Sequence, residues 1–516
     1  MPYGSRRFLR LSTNSWPLVA LCVLGCAGAD ADLPADFAVI AIENGPVTLD
    51  PRFATDATGN QIGELLFDGL TRVDDQGRYH PDLAADWSNP DPVTYEFHLR
   101  EGFRFSDGTP VRAVDVKATF DSIRDTSSTS PKRSALAPIE SIDVPAPLSV
   151  RFHLREAFAP FLDLTTLGVM PAARVAAAPA PIREPMGSGP FRLVEFSPDE
   201  RIVLARAPSE LQRSRLAGVV FQVIPDGLVR LLEFKRGRVD VIQNAVDPDS
   251  IEWASRLPHA QVLTTPSTNF QYLGLNLREP PLADVRVRRA LAHALDTRGL
   301  IRSVLRGLAT PATGLLPPGH WAYSADGPVY AYDPKRAKAL LDEAGYVDPD
   351  GDGPRPRFRL SYKTTTVDLR KRIAEVIQQQ LARVGVALDI RTYEWGTFYG
   401  DIRRGNFQVY SLAWVGVADP DIYFQTCHSS QVPPVGNNRG FFRDAEVDQL
   451  TERAQRTPDG EERRRYYVEV QKRVAEQLPV IPLWWPTNVA VVNRRLHGFE
   501  LRANASLDSL RDAWIE

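Results

Sequence analysis

The chain contains very little cysteine. Of its three cysteines, Cys22 and Cys26 lie close to the start, and Cys427 alone lies in the remaining sequence. One cysteine can form no disulfide within the body of the protein, and it cannot supply the several thiolates of a structural zinc site. Stability must then come from buried apolar surface, which a chain of 516 residues can provide, and we expect Cys427 to be a small buried residue.

Basic residues are not in excess, and long apolar runs are absent after residue 26. Lysine and arginine total 61 against 64 aspartates and glutamates, which gives a formal net charge of −3 without a basic stripe. This balance argues against nucleic acid as a partner. A membrane-spanning helix needs about 20 apolar residues, so we expect none in the body of the protein.

The sequence signatures of common catalytic and metal sites are missing as well. Residues 187–190 (GSGP) lack the lysine and spacing of a phosphate-binding loop, and neither G-x-S-x-G nor H-E-x-x-H occurs. Residues 348–353 (DPDGDG) open like a calcium loop, but Arg359 stands where that loop needs a glutamate. Cys427 and His428 are adjacent in a predicted strand, so their side chains point apart. We therefore predict no enzyme activity, no metal and no cofactor.

The first 26 residues have the features of an export signal. Three arginines precede a short apolar stretch over residues 16–24, and Gly25 comes directly before Cys26. A small residue followed by cysteine is typical of a lipoprotein signal, which predicts that Cys26 becomes a lipidated N-terminus. The alternative is an ordinary signal peptide with an incidental cysteine. Arg6 and Arg7 also leave twin-arginine export open, and residues 27–35 (AGADADLPA) read as a flexible tether.

Strands and helices alternate along the rest of the chain without a repeat of fixed length, which favours an α/β architecture. Residues 94–100 and 148–154 alternate polar and apolar side chains and are predicted as strands of one small subdomain. Residues 113–123 have helical spacing. Asp284 and Asp333 each stand where a helix N-cap is expected.

A βαβ unit is predicted in the second half of the chain. Strands over residues 358–362 and 386–390 enclose a helix over residues 368–384, which ends at Gly385. Ligands of such parallel sheets bind at the carboxyl ends of the strands. This rule directs attention to residues 413–421 (AWVGVADPD), which follow the next predicted strand, over residues 407–412.

Seven sequence blocks, taken in their order and spacing, resemble the extracellular solute-binding proteins of family 5, a group that contains dipeptide- and oligopeptide-binding receptors of ABC importers. The blocks run over nearly the whole mature chain. They are residues 48–51 (TLDP), 64–71 (ELLFDGLT), 81–84 (PDLA), 95–116 (YEFHLREGFRFSDGTPVRAVDV), 187–191 (GSGPF), 281–300 (PLADVRVRRALAHALDTRGL) and 481–484 (IPLW).

The resemblance implies an α/β, two-lobed, periplasmic-binding-protein-like fold (type II, cluster C) with an accessory third subdomain. The expected boundaries are residues 36–70, 186–265 and 488–516 for lobe I, 71–185 for the accessory subdomain and 266–487 for lobe II. Two strands near residues 265 and 487 would form the hinge.

The implied function is that of a monomeric receptor in the periplasm or cell envelope, held to the membrane only by its lipid anchor. It would capture a solute, with a peptide as the leading ligand, and deliver it to the permease subunits of an ABC importer by closing its lobes. Two alternatives remain open at this point: an exported hydrolase, and a binding protein that serves a sensor or regulatory partner.

One position departs from the pattern of the peptide-binding members. In those proteins an aspartate shortly after the tryptophan equivalent to Trp414 pairs with the ammonium group of the peptide. Val417 occupies that position here, and the nearest carboxylates are Asp419 and Asp421. A buried ammonium group without a partner is costly. Either the loop brings Asp419 forward or the ligand lacks a free amine.

The expected ligand-binding residues come from both lobes. Tryptophans would offer flat walls, with core packing as the alternative role, and the asparagines would hydrogen-bond an extended ligand, with turn formation as their alternative. The set comprises Asp56, Thr58, Trp395, Tyr399, Trp414, Val417, Asp419, Asn437 and Asn438.

Overall fold

The computed structural model describes residues 35–176, 180–208, 214–351, 353–434, 436–458 and 460–516. Cys26, the predicted signal and nearly all of the predicted tether lie outside these ranges. Within them, no helix is both long enough and apolar enough to cross a membrane.

The main feature of the fold is a mixed sheet to which twelve strands of the described chain belong. Its strands are β1 (Phe37–Ile42), β8 (Phe191–Ser197), β9 (Arg201–Arg206), β10 (Gly218–Val223), β11 (Val241–Gln243), β12 (Ala260–Pro266), β13 (Phe270–Leu275), β14 (Ala309–Pro311), β15 (Phe358–Thr365), β16 (Val386–Tyr393), β17 (Val409–Trp414) and β18 (Val480–Asn493).

The remaining strands form three small sheets. They are β2 (Thr71–Val73) with β3 (Tyr79–Pro81); β4 (Ala84–Asp91), β5 (Thr94–Leu99), β6 (Ile139–Ala146) and β7 (Ser149–Leu154); and β19 (Leu496–His497) with β20 (Trp514–Ile515).

Helices pack on these sheets. They are α1 (Ala57–Leu66), α2 (Ala113–Arg124), α3 (Phe161–Leu164), α4 (Ala172–Val175), α5 (Gly227–Lys235), α6 (Ile251–Ser255), α7 (Pro280–Ala283), α8 (Val285–Ala294), α9 (Thr297–Ser303), α10 (Pro334–Glu343), α11 (Asp368–Ala382), α12 (Trp395–Arg404), α13 (Ile422–Cys427), α14 (Ala445–Arg456) and α15 (Glu461–Gln477).

One long strand, β18, joins the two halves of the large sheet. Its first residues pair with β13, whereas its last residues pair with β12 and β11. The change of partners falls next to Thr487, which stands opposite Pro266. The sheet therefore passes from one half to the other beside the two positions that the sequence predicts as the hinge, and the exact lobe boundaries stay a prediction.

The predicted small subdomain is present as a four-stranded antiparallel sheet. β5 pairs with β7, as the alternating patterns over residues 94–100 and 148–154 predict, and α2 packs on the sheet. Its core contains a cluster of rings, in which Phe152 contacts Phe97, Phe120 and Phe161. Aromatic burial of this kind lets a small sheet with one helix hold together beside the larger body.

The predicted βαβ unit is confirmed. β15 and β16 run parallel with Phe358 opposite Val386, and α11 lies between them in the chain. Gly385, just after the helix, has a φ of 79°, a left-handed conformation that favours glycine. The caps are confirmed as well, since the carboxylates of Asp284 and Asp333 accept hydrogen bonds from the first backbone N–H groups of α8 and α10.

One local prediction is wrong. Cys427 does not lie in a strand but is the last residue of α13, because the helix continues until the backbone turns extended at His428. The thiol is buried as expected, and burial raises its pKa to about 12.

Candidate functional site

A wall of aromatic side chains lies at one end of the lobe II sheet. Trp395 is the first residue of α12 and Tyr399 follows one turn later, so their rings meet on one side of the helix. The two rings stack with centroids 5.3 Å apart and planes within 9°. Trp395 is 51% exposed, which is unusual for a side chain of this size and makes it available for contact.

Trp414 adds a second flat surface to this wall. It is the last residue of β17, and it stacks on Tyr272 of the neighbouring strand β13 with planes within 9°. The chain then leaves the sheet through Val415 and Gly416, both exposed. Gly416 takes a φ of 64°, so the loop turns sharply at the carboxyl end of the strand.

Arg439 connects these aromatic groups and was not among the predicted binding residues. Its guanidinium lies 4.6 Å from the centroid of the Trp414 ring and 5.4 Å from that of the Tyr399 ring. It also donates long hydrogen bonds to the hydroxyls of Tyr272 and Tyr399 and to the side-chain oxygen of Asn437. No sequence signal marks it, because its neighbours come from three distant segments.

Arg370 stands at the other end of the wall, over the Trp395 ring at 5.8 Å from its centroid. The side chain reaches solvent, yet the protein atoms around it lower its pKa, and the charge of Glu43 opposes that effect. Glu43 follows β1 in the first half of the sheet, so its charge acts on Arg370 from the other half of the molecule.

The structure gives Asp419 a different partner from a ligand amine. Both of its carboxylate oxygens accept hydrogen bonds from Arg463, at 2.7 and 3.1 Å, and the two side chains are almost completely buried. Bidentate geometry makes this a strong ion pair. Val417 is buried in the apolar cluster of lobe II. Asp419 is therefore engaged by Arg463 within lobe II.

Asp421 is the second carboxylate of the same loop, and it has no cationic partner within the described residues. Its Oδ1 accepts a hydrogen bond from Gln455 at 2.8 Å. Burial, followed by the nearby charge of Asp419, raises the pKa of Asp421 to about 8. This carboxyl therefore belongs to the interior of the loop, where its neutral form is favoured.

The two predicted asparagines have different surroundings. Asn437 is half-buried and its side-chain oxygen faces Arg439 at 3.3 Å. Asn438 is buried, donates its amide hydrogens to the carbonyls of His428 and Phe442, and accepts from the N–H of Phe442. We assign Asn438 to the architecture of the loop, since both amide hydrogens are used within it.

The lobe I residues of the predicted set lie apart from the aromatic wall. Asp56 caps α1 by accepting from the N–H of Gly59 at 2.7 Å, and Thr58 is a half-buried residue of that helix. Within the described residues, neither side chain hydrogen-bonds to the lobe II group. The loop before the cap lines a cavity of about 510 Å³ through Val47 and Thr48.

Among the described residues, contacts between the two halves of the molecule include two groups of polar side chains. At one, Ala159 donates to the carbonyl of Gln455 at 2.6 Å, and Tyr79 and Asp163 lie close to the Asp419–Arg463 pair. Burial, with the charge of Asp419 as the second cause, raises the pKa of Asp163 to about 6.

At the second place, two acids that follow β11 face lobe II arginines. Arg372 pairs with Asp247 at 2.7 Å and with Asp249 at 2.9 Å, and Arg306 also pairs with Asp249. No group of three or more histidines, cysteines and acids capable of holding a metal ion occurs within the part of the chain that the structure describes.

Comparison with known proteins decides the family. A family model described as bacterial extracellular solute-binding proteins, family 5, matches residues 78–433. The chain belongs to this family. Family 5 consists of solute-binding proteins rather than enzymes, and the two-lobed α/β fold with its accessory subdomain is the fold expected from the sequence.

Individual members of family 5 match over almost the full length. The oligopeptide-binding protein AppA of Bacillus subtilis is 26% identical, with 91% of this chain and 90% of AppA covered. The dipeptide-binding protein of Escherichia coli is 28% identical, with 91% and 93% covered. The structure of NikZ from Campylobacter jejuni in complex with Ni(L-His) has a TM-score of 0.83 at 25% identity and covers 94% of this chain and 100% of NikZ.

Proposed function

We propose that this protein is an exported receptor that captures a solute between its two lobes and delivers it to the permease subunits of an ABC importer. Family membership supports a binding role in place of catalysis. A peptide is the leading ligand, because relatives similar over about nine-tenths of both chains are named for oligopeptide and dipeptide binding. The third comparison, a complex with Ni(L-His), makes other small ligands the alternative.

The observation that carries this proposal is the aromatic wall. Trp414 ends β17, and Trp395 and Tyr399 follow β16, so the three rings lie beyond the carboxyl ends of two parallel strands, where parallel α/β sheets hold their ligands. Such rings contribute large apolar contact area to a bound molecule at low entropic cost. Val415 and Gly416 beside them are exposed, so a solute can approach.

Lobe closure would convert binding into a signal for the importer. A ligand held between lobes makes contacts in the closed form that the open form cannot offer, and this shifts the equilibrium toward closure. The ion pairs of Arg372 with Asp247 and Asp249 are of the kind that such a movement would make and break.

The proposal includes the location of the protein. Cys26 would carry a lipid after signal cleavage and tether a monomeric body at the outer side of a membrane, in the periplasm or cell envelope. No nucleic acid, metal or cofactor takes part in it.

Mass spectrometry of ligand carried through purification tests the function. We expect peptides in the denatured extract of the full chain, and intact protein from membranes should carry a lipid on Cys26. Calorimetry with the recovered ligand should show binding that Trp414→Ala weakens by about ten-fold. Trp253→Ala is the matched control, since Trp253 is 38% exposed on α6, outside the wall, and it should leave affinity unchanged. Conversion of the recovered ligand to hydrolysis products by the purified protein would contradict the receptor and favour a hydrolase.

A further inference from the structure

Five side chains of the wall, two arginines and three aromatic residues, form a continuous stack. From one end these are Arg370, Trp395, Tyr399, Arg439 and Trp414, with 4.6 to 5.8 Å between successive groups. We call this set the arginine–aromatic ladder. Stacked rings attract a cation through their faces, but they do not neutralise its charge.

Arg439 is the buried cation of the ladder, with 5% of its surface exposed. Its terminal nitrogens donate to neutral oxygens, those of Tyr272, Tyr399 and Asn437, at 3.3 to 3.4 Å, and the hydroxyl of Tyr410 is a further neutral partner. Its Nε is buried without a hydrogen-bond partner, and no carboxylate of the described chain pairs with it. A buried charge in this condition is costly unless an opposite charge arrives.

Other buried arginines of this protein show what a complete arrangement looks like. Arg52 pairs with Asp50 at 2.7 Å, and Arg463 pairs with Asp419 at 2.7 Å, all four side chains being nearly inaccessible to solvent. Arg230 and Arg288, which are also buried, instead donate hydrogen bonds of 2.5 to 3.1 Å to backbone carbonyls. Arg439 has neither arrangement, since its hydrogen bonds of 3.3 to 3.4 Å are longer contacts to neutral groups beside an exposed loop.

The loop that follows Trp414 also bears on the charge of Arg439. Val417 occupies the position at which the peptide-binding members have an aspartate, and it is buried among apolar groups. Asp419 already pairs with Arg463. Burial raises the pKa of the Asp421 carboxyl, which accepts a hydrogen bond from Gln455. The lobe II side of the cleft therefore carries positive charge that the loop does not balance.

We propose that Arg439 is the subsite for an acidic group of the ligand, a carboxylate or an equivalent oxyanion, with a planar part of the ligand lying on Trp395 and Trp414. In the complex, the ligand carboxylate takes the place of the Asn437 side-chain oxygen at the guanidinium of Arg439. It pairs with that guanidinium through two hydrogen bonds, the geometry that suits arginine. The inference rests on the proposed solute-binding function and narrows its ligand class to acidic molecules.

The test uses the full chain and a randomised tripeptide library prepared with four combinations of ends: free or acetylated amine, and free or amidated carboxyl group. Competition measured by native mass spectrometry should show that free carboxylates bind at least about ten-fold tighter than amides. Acetylation of the amine should change affinity much less.

The variant Arg439→Gln should remove the preference for the carboxylate while amidated peptides bind as before. Arg439→Lys, which keeps the charge but loses the planar fork, should keep part of the preference. Arg359→Gln is the matched control, because Arg359 forms an exposed ion pair with Asp389 at the start of β15 and should leave the preference unchanged.

The wild-type measurement alone decides the inference if a variant fails to fold. Equal binding of amides and carboxylates would overturn the acidic subsite and leave the receptor function standing. A preference for carboxylates that persists in Arg439→Gln would assign the subsite to another cation and overturn the inference as well. Failure of all four libraries to bind would overturn the peptide assignment together with it.

Discussion

At the scale of single residues, the loop from Trp414 to Asp421 shows how partners decide the role of a carboxylate. Asp419 and Asp421 are two positions apart and both are nearly inaccessible. Asp419 has a bidentate arginine and remains a charged member of an ion pair. Asp421 accepts a hydrogen bond from the amide of Gln455, but burial, followed by the charge of Asp419, raises its pKa and favours its neutral form.

The raised pKa of Asp421 predicts a pH dependence of stability. The folded state, with a pKa of about 8 against an ordinary 3.8, binds more protons than the unfolded state between these values. The contribution of this group to the free energy of unfolding therefore falls as pH rises from about 4 to about 8. Asp421→Asn, which keeps the acceptor for Gln455, should raise the melting temperature by about 2 °C or more at pH 9 and hardly change it at pH 4.

Calorimetric melting of both proteins across this range provides the measurement. Only the difference between variant and wild type is informative, since Asp163 also has a raised pKa in the same region. A constant difference at all pH values would contradict the assignment.

At the scale of elements, the βαβ unit follows closely from its sequence. Ile373, Ile377 and Leu381 recur on one face of α11 and are buried against the sheet. Helix ends were predictable for a local reason: Asp284 and Asp333 cap with their own side chains, and Gly385 takes a backbone conformation that other residues avoid.

Ile377→Ala tests the packing of this unit. Ile377 has no exposed surface and lies in the lobe II core, so its truncation should lower the free energy of unfolding by about 2 to 5 kcal/mol. Glu375→Ala on the exposed face of the same helix is the control, with an expected change within about 0.5 kcal/mol. Urea denaturation gives both values, and a loss below about 1 kcal/mol for Ile377→Ala would show that α11 is not packed as described.

At the scale of the whole molecule, the two halves approach each other closely at Gly77. Gly77 lies in the turn between β2 and β3 with a φ of 77°. A Cβ atom at this position would stand 2.4 Å from the carbonyl oxygen of Ala418 in the lobe II loop. Backbone atoms cannot approach so closely to a methyl group, so the absence of a side chain permits this contact between the halves.

Gly77→Ala should therefore hold the lobes apart. We expect a larger radius of gyration in solution scattering with ligand present and an affinity about ten-fold weaker, because the closed form becomes less populated. Gly108→Ala separates this effect from backbone strain, since Gly108 has a similar φ of 88° and no atom within 4 Å of the added Cβ. Equal effects of the two substitutions on affinity would show that strain, and not the contact with Ala418, is responsible.

The sequence by itself determined the local elements and the family of this protein. Periodic burial, capping aspartates and glycine at helix ends depend on neighbours within a few residues, and the order of the family-like blocks over residues 48–484 predicted the two-lobed fold. Trp395, Tyr399 and Trp414 could be named as candidates because aromatic rings near the ends of strands offer flat contact area to a ligand, with core packing as the alternative for the tryptophans.

The tertiary structure alone decided which groups meet at the site. Arg439 is brought to Tyr399 and Trp414 by loops distant in the chain, and Asp419 forms its ion pair with Arg463, 44 positions later. Charge pairing at contact distance depends on three-dimensional neighbours and leaves no periodic trace in the sequence. For that reason the sequence could suggest the aromatic residues of the wall as candidates, but it could not indicate Arg439.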